Sequence, residues 1–219
     1  MKEKLISLAK GFITPDHLIK RVIIVVIACS FMALSASWLT LVDLGTDTYT
    51  NLNQAVSAKI GWSFGNWQTF LNVVLFIIVL IIGDSKNFGF GTLANMFLIG
   101  YEVDFFNKMW NTILPAGLFD TLSNRILLMI PGLIVFVLAC AVYMDVELGT
   151  SPCDAISFIV NTKWLKNVSF KVIRMTYDFT LILIAFILSG KIYPITVIMA
   201  LTLGTTVEYV GKWMKKIIK

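Results

Sequence analysis

The sequence predicts an all-α membrane protein of six transmembrane helices arranged as two inverted three-helix repeats, each with a short broken or interfacial helix after its first span. Three observations predict it. The composition, 58% apolar against 14% charged with a mean hydropathy of +0.83, lies outside the range of soluble domains. Several apolar runs approach the ~20 residues that a helix needs to cross the hydrocarbon core at ~1.5 Å per residue. The chain also matches itself at an offset of 104 residues. Arg21 pairs with Arg125, Leu44-Gly45-Thr46 with Leu148-Gly149-Thr150, and Gly100-x-x-Val103-Asp104-Phe105 with Gly204-x-x-Val207-Glu208-Tyr209.

The apolar runs place spans at 21–43, 64–83, 88–110, 125–146, 170–189 and 192–213. They divide the chain into a cytoplasmic or interfacial N-terminal segment (1–20), a first repeat (21–110), an extracytoplasmic linker (111–124), a second repeat (125–213) and a basic cytoplasmic tail (214–219). In the first segment, Lys4 to Ile13 mixes apolar and basic residues as a short interfacial anchor does, and the h-region and cleavage site of a signal peptide are missing.

Charge sets the expected orientation. Lys2, Lys4, Lys10, Lys20, Arg21, Lys86, Lys163, Lys166, Lys171, Lys212, Lys215, Lys216 and Lys219 fall on one side, against Lys59, Lys108, Arg125 and Lys191 on the other. The positive-inside rule then puts both termini in the cytoplasm. Trp38, Trp62, Trp67 and Trp110 mark the outer border, Trp164 and Trp213 the inner one. The net charge of +5 is thus a topology signal, and no soluble domain remains for nucleic acid. Cys29, Cys140 and Cys153 are too scattered for a disulfide framework, and no metal or cofactor motif is present.

Between the 104-residue matches the offset drifts to 106, pairing Ser63-Phe64 with Ser169-Phe170 and Asn72 with Asp178, as a two-residue insertion in the second half would cause. Three spans per half is an odd number, so the second copy enters from the opposite face, the architecture of many secondary transporters. Duplication without any transport role is the plainer alternative.

Each first span is followed by Leu-Gly-Thr and a stretch too short or too polar to cross. In the second copy Gly149 suits a left-handed helix end, Ser151 an N-cap, Pro152 the first helical position and Asp154 the third, so a new short helix begins there. If it dips into the bilayer, its amides offer a positive dipole end; if it lies in the interface, it is a connector. The connector is preferred for the more polar first copy, Thr46 to Asn51.

Gly45-Thr46, Gly149-Thr150-Ser151-Pro152-Cys153-Asp154, Ser63-Phe64-Gly65, Gly91-Thr92-Leu93-Ala94-Asn95-Met96-Phe97-Leu98-Ile99-Gly100 and Val103-Asp104-Phe105-Phe106 together resemble the YczE/YitT-like bacterial membrane proteins, over nearly the whole chain. The chain departs from that pattern where the family usually carries a Trp-Asp pair: Tyr49-Thr50 stands in the first copy, and Cys153 replaces the Trp in the second. The resemblance implies a multi-pass protein of the bacterial cytoplasmic membrane and the internal repeat. It implies little about substrate, because the family is largely uncharacterised.

Ionisable groups near the bilayer centre cost several kcal/mol unless paired or facing a cavity. Asp178 falls near the middle of the fifth span with its repeat mate Asn72 at equal depth, and Arg174 stands one turn away as a structural partner or a site residue. Asn95 adds a polar group at about the same level. Asp104, Glu208 and Glu102 are candidate proton carriers, or else reach headgroup water or pair with Lys108 and Lys212.

Gly61-Trp62-Ser63-Phe64-Gly65 fits the G-x-S-x-G pattern, but the single histidine, His17, lies on the opposite face, so a catalytic triad is not expected and the protein is read as not an enzyme. The expected function is a small permease working by alternating access, with Asn72, Asp178, Arg174, Asn95, Thr46, Thr150, Ser151 and Asp154 lining the substrate site and Asp104, Glu208 and Glu102 coupling protons. Carboxylates outnumber arginines in the spans, which points to a cationic or proton-coupled solute. A non-transporting scaffold that assists a partner is the alternative, and an intramembrane enzyme a remote third. No cofactor is expected; the partners are the bilayer and a small solute, with a homodimer one option for assembly.

Overall fold

The computed structural model describes residues 18–82, 88–115, 117–188 and 190–218. The N-terminal anchor with His17, Lys2, Lys4 and Lys10, and also Lys86, lies outside the described residues. The fold is all-helical, with no strand among the described residues. In chain order the helices are α1 (Leu18–Val42), α2 (Thr48–Ile60), α3 (Phe64–Ile82), α4 (Phe90–Ile113), α5 (Leu122–Asp145), α6 (Pro152–Ile159), α7 (Phe170–Ile187) and α8 (Pro194–Ile218). One π-helical turn, Val160–Trp164, prolongs α6. The long helices lie within a few residues of the expected spans, although α1, α4 and α5 each extend three residues further at one end and α8 runs five residues further, to Ile218, through most of the expected tail.

The exterior is apolar, and the interior holds many polar side chains beside an apolar core. Ile77, Ile81, Leu127, Ile134, Phe186 and Ile187 are exposed, whereas Asn53, Asn72, Thr92, Ser157 and Thr196 have no exposure at all. In water this would sacrifice hydrophobic burial; in lipid it is the stable arrangement, because polar groups must find partners inside the protein. Four helices, α1, α3, α5 and α8 over Pro194–Trp213, are long and apolar enough to cross a membrane. The other two long helices are less apolar, since α4 carries Glu102, Asp104 and Lys108, and α7 carries Lys171, Arg174 and Asp178. Length and composition thus mark four candidate spans among the described residues.

At the centre α1 packs against α4 and α5, and α5 in turn against α8. Apolar side chains gain little by leaving lipid for protein, so close approach has to come from small residues. Cys29, Ala33 and Ser37, four residues apart along α1, are all fully buried. Ser37 Oγ accepts the indole N–H of Trp110 on α4 at 3.0 Å, and the Trp38 indole donates to the Leu128 carbonyl of α5 at 2.8 Å.

The short helices pack crosswise. α2 contacts α7 and α8 as well as α3, while α6 contacts α3 and α7. The first three turns of α2 are mostly interior, with Thr48, Thr50, Asn51, Asn53 and Ser57 buried, so this polar helix is not the surface connector its composition suggested. Two of its amides find acceptors inside the bundle, Asn53 Nδ2 donating to the Tyr49 carbonyl at 2.8 Å and Gln54 Nε2 to Thr40 Oγ1 at 2.6 Å, while Asn51 Nδ2 is buried without an acceptor.

The breaks before α2 and α6 share a backbone form. Asp43 and Glu147, 104 residues apart, have φ of 54° and 53°; Gly45 and Gly149 follow two residues later at 122° and 104°. Asp47 then caps α2 by accepting the Thr50 N–H, and Ser151 caps α6 by accepting that of Asp154. The left-handed helix end expected at Gly149 falls instead on Glu147, because α5 closes at Asp145. Gly149 serves a different need: a Cβ there would stand 2.6 Å from Gly89 N and from Thr92 Oγ1 at the start of α4. At Gly45 it would stand 2.8–2.9 Å from Tyr193 and Thr196 at the start of α8.

Gly149→Ala is therefore expected to combine left-handed strain with crowding and to destabilise the protein by on the order of 2 kcal/mol or more. Gly61 has a φ of +73° but nothing within 4 Å of a Cβ, so Gly61→Ala should lose only the strain, roughly 1 kcal/mol. Thermal melting in detergent, followed by tryptophan fluorescence, reads the ranking; equal losses would show that the approach to α4 is not tight.

Candidate functional site

The site grows from the first turns of the two short helices. In α2, capped by Asp47, consecutive residues reach opposite neighbours: Thr48 Oγ1 donates to Asp178 Oδ1 of α7 at 2.8 Å, and the Tyr49 hydroxyl to Asn72 Oδ1 of α3 at 2.7 Å. Asn72 and Asp178 are therefore joined through α2, each within one hydrogen bond of it. In α6, Ser151 Oγ donates to Asp154 Oδ2 at 2.8 Å, and the other Asp154 oxygen takes the Arg174 guanidinium. Arg174 Nε also donates to Asp178 Oδ2 at 3.2 Å, the i to i+4 pair on α7. One guanidinium thus bridges two carboxylates from two helices, and the Asp178 side chain is only 5% exposed. Cys153 Sγ lies 3.1 Å from the Tyr177 hydroxyl beside this group.

Two cavities meet at Arg174. A chamber of about 90 Å³ is lined by Asp47, Gln68, Asn95, Asp154 and Arg174 among others. A vestibule of about 350 Å³ runs from it past Phe158, Phe170 and Gly204 to Glu208 and Lys212 near the end of α8. Met32, Cys140, Asp154, Arg174 and Leu203 belong to both.

The chamber lining pairs up along the chain. Met32 with Phe136, Ala36 with Cys140, Asp47 with Ser151, Tyr49 with Cys153, Thr50 with Asp154, and Ile99 with Leu203 are each separated by 104 residues, and Gln68 with Arg174 by 106. These seven pairs include every lining residue except Asn95.

The remaining expected site residues are dispersed. Thr46 is buried, its hydroxyl donating to the Asp47 carbonyl at 3.3 Å. The Thr150 carbonyl accepts from Thr92 Oγ1 at 2.8 Å. Neither threonine lines the chamber, and nor do Asn72 and Asp178, which are bonded to Tyr49 and to Thr48 and Arg174 behind its wall. Of the candidate proton carriers, Asp104 accepts the Gly65 N–H at 2.9 Å and so caps α3. Glu102 accepts from Ser30 at 2.9 Å, with its other oxygen buried and without a partner. Glu208 is exposed and pairs with Lys212 at 2.5 Å. Ser63 accepts the Asn66 N–H at 3.2 Å, a helix-start contact.

Asp47, Thr48 and Gln68 belong to the site but carry no obvious mark in the sequence, whereas Tyr49 stands where the chain departs from the family pattern. The repeat offset is the signal that finds two of them, since it sets Asp47 opposite the cap Ser151 and Gln68 opposite Arg174. At the far end from the vestibule, Asp43 lies 3.3 Å from Arg125 and 3.5 Å from Lys191 and accepts the Tyr193 hydroxyl. Burial and this bond to Asp43 raise the Tyr193 pKa above the ordinary phenol value, so it stays a donor.

Residues 19–212, from α1 into the last turns of α8, match DUF6198, a family of unknown function. A Haemophilus influenzae protein described as uncharacterised is 24% identical over 191 residues, 87% of this chain and 83% of that protein. The uncharacterised membrane protein YczE of Bacillus subtilis is 26% identical over 171 residues, 76% of this chain and 73% of its own. The uncharacterised protein YyaS of the same organism is 25% identical over 118 residues, 53% and 56% of the two chains. No solved structure matches. With polar groups gathered in its interior, an apolar exterior and a match over nearly its whole length, the chain belongs to the DUF6198 family, a YczE-like group of membrane proteins of unknown function.

Proposed function

We propose that the protein is a small-solute permease of the bacterial cytoplasmic membrane, built from two inverted three-helix repeats with six spans and working by alternating access. The observation that carries this reading is the chamber whose lining pairs residue by residue at the repeat offset. In inverted-repeat transporters the substrate site lies at the interface of the repeats near the midplane, formed by broken helices. Here α2 and α6 supply the breaks, and each packs across into the other half, α2 against α7 and α6 against α3. These are pairings that a two-fold relation would exchange.

Alternating access also requires the two sides to differ at any moment, and repeat-related glycines differ in this way. A Cβ at Gly100 would meet Gly65 Cα at 2.9 Å, so α3 is closed against α4; at Gly204 the nearest atom is Arg174 Cγ at 3.9 Å. The vestibule passes Gly204, and the charge bias of the sequence supports a cytoplasmic mouth there. The Asp43, Arg125, Lys191 and Tyr193 group then closes the outer end. In this reading the bound groups shift partners during the cycle and no covalent chemistry is needed.

Asp178→Asn is expected to abolish uptake in reconstituted vesicles while leaving membrane insertion and the Thr48 bond in place. Full uptake by this variant would remove Asp178 from the mechanism. Arg174→Met is the less informative change, because it strands two carboxylates and should destabilise the fold by ~3–5 kcal/mol.

Topology has its own test, for which the buried native thiols Cys29, Cys140 and Cys153 leave a low background. A cysteine at exposed Trp62 should react with an impermeant thiol reagent from outside intact cells, and one at exposed Lys166 only after lysis. Reaction of both from outside would refute the inverted arrangement.

A further inference from the structure

The chamber's charge and its vacant hydrogen-bonding atoms identify the chemistry of what it takes. Asp154 and Asp178 share Arg174, but Asp47 has no ion pair among the described residues. It is 8% exposed; Oδ2 accepts the Thr50 N–H at 3.0 Å, and Oδ1 accepts nothing. Gln68, 3% exposed, likewise has Oε1 without a donor. Both side chains line the chamber. Two carboxylates thus share one guanidinium while Asp47 stands without a counter-charge, and among the residues lining the chamber the unmet buried side-chain atoms, Asp47 Oδ1 and Gln68 Oε1, are both acceptors. Leaving buried acceptors without donors costs about 1–3 kcal/mol each, more for a charged group, so an occupant that donates hydrogen bonds and carries positive charge is favoured.

The opposing influence is the dipole of α2 and α6, whose N-termini favour anions by at most about half a positive charge each. Those ends are already occupied: α2 by the Asp47 carboxylate, α6 by Ser151 and Asp154. With its carboxylates ionised, Asp47 and Asp154 against Arg174, the chamber lining is net negative. Its walls include the aromatic rings of Tyr49 and Phe136, which suit an organic cation through cation–π attraction. At about 90 Å³ it has room for roughly three waters, enough for an ammonium head group and little more, while the vestibule accommodates a longer substituent.

We propose that this chamber binds a small primary ammonium compound, its N–H groups received by Asp47 and Gln68 and its positive charge balanced by Asp47. The inference rests on the permease reading for the route of the solute, but the binding site stands or falls separately.

Methylammonium chloride is the probe, titrated into the purified full-length protein in detergent at constant ionic strength with melting temperature as readout. A saturable rise is expected with methylammonium, and none with tetramethylammonium, which is bulkier and has no N–H, or with sodium. In Asp47→Asn the apparent affinity should fall about tenfold or more, the size of a lost charge-assisted contact. Should that variant not fold, Gln68→Leu is expected to weaken the response in the same direction. Equal responses to all three cations, no saturable response, stabilisation only by sodium or by anions, or undiminished methylammonium binding in the Asp47 and Gln68 variants would overturn the inference. Labelled methylamine uptake into vesicles separates the two readings. Binding without flux in either direction would overturn the permease and leave the site. Flux of a neutral or anionic solute by a protein indifferent to methylammonium would overturn the site and leave the permease.

Discussion

Arg174 lies between Asp154 on α6 and Asp178 one turn along α7, and Asp178 in turn accepts from Thr48 on α2. Three helices are therefore tied through one guanidinium in a bundle whose outer surface is apolar. Buried charges are tolerable only when each finds its counter-charge and its remaining acceptors find donors. Arg174 is suited to this task because its planar, permanently charged group serves two carboxylates at once, which a lysine ammonium does less well. The positions of α2, α6 and α7 relative to one another follow from that requirement, and the chamber lies among them.

The same constraint explains the breaks. A chain that stops being helical inside a bundle exposes amides and carbonyls that lipid cannot satisfy, so such segments survive only where protein supplies partners. Here Asp47 and Ser151 cap the new helices, the Gly91 N–H reaches the Leu148 carbonyl at 2.8 Å, and Thr92 reaches that of Thr150. Gly45 and Gly149 allow these contacts by letting the starts of α8 and α4 approach the backbone directly. Helix breaks, tight crossings and the polar chamber are thus connected consequences of placing polar backbone away from water.

Much of the fold is legible from spacing. Apolar runs locate the long helices to within a few residues, and the series Gly149, Ser151, Pro152, Asp154 announces the start of α6, because capping depends on residues adjacent in sequence. The glycine's part is harder to read: the left-handed residue is Glu147, and Gly149 is needed for a neighbour 60 residues away in the chain, Gly89. Asp104 and Glu208 look alike as repeat mates, yet one caps α3 and the other lies exposed beside Lys212. Their difference follows from how tightly each helix pair is packed.

The sequence by itself determined an apolar helical membrane protein, the matches at an offset of 104 between its halves, and Arg174 with Asp178 as a charged pair on one helix face, since all three follow from composition and spacing. Only the tertiary structure decided that α2 is interior, that Asp154 joins the pair, and that Asp47 and Gln68 hold acceptors without donors beside it. Those properties depend on which residues distant in the chain come together, and on what each polar atom then fails to meet. A one-dimensional pattern encodes the face a side chain occupies, and the packed bundle decides what stands opposite it.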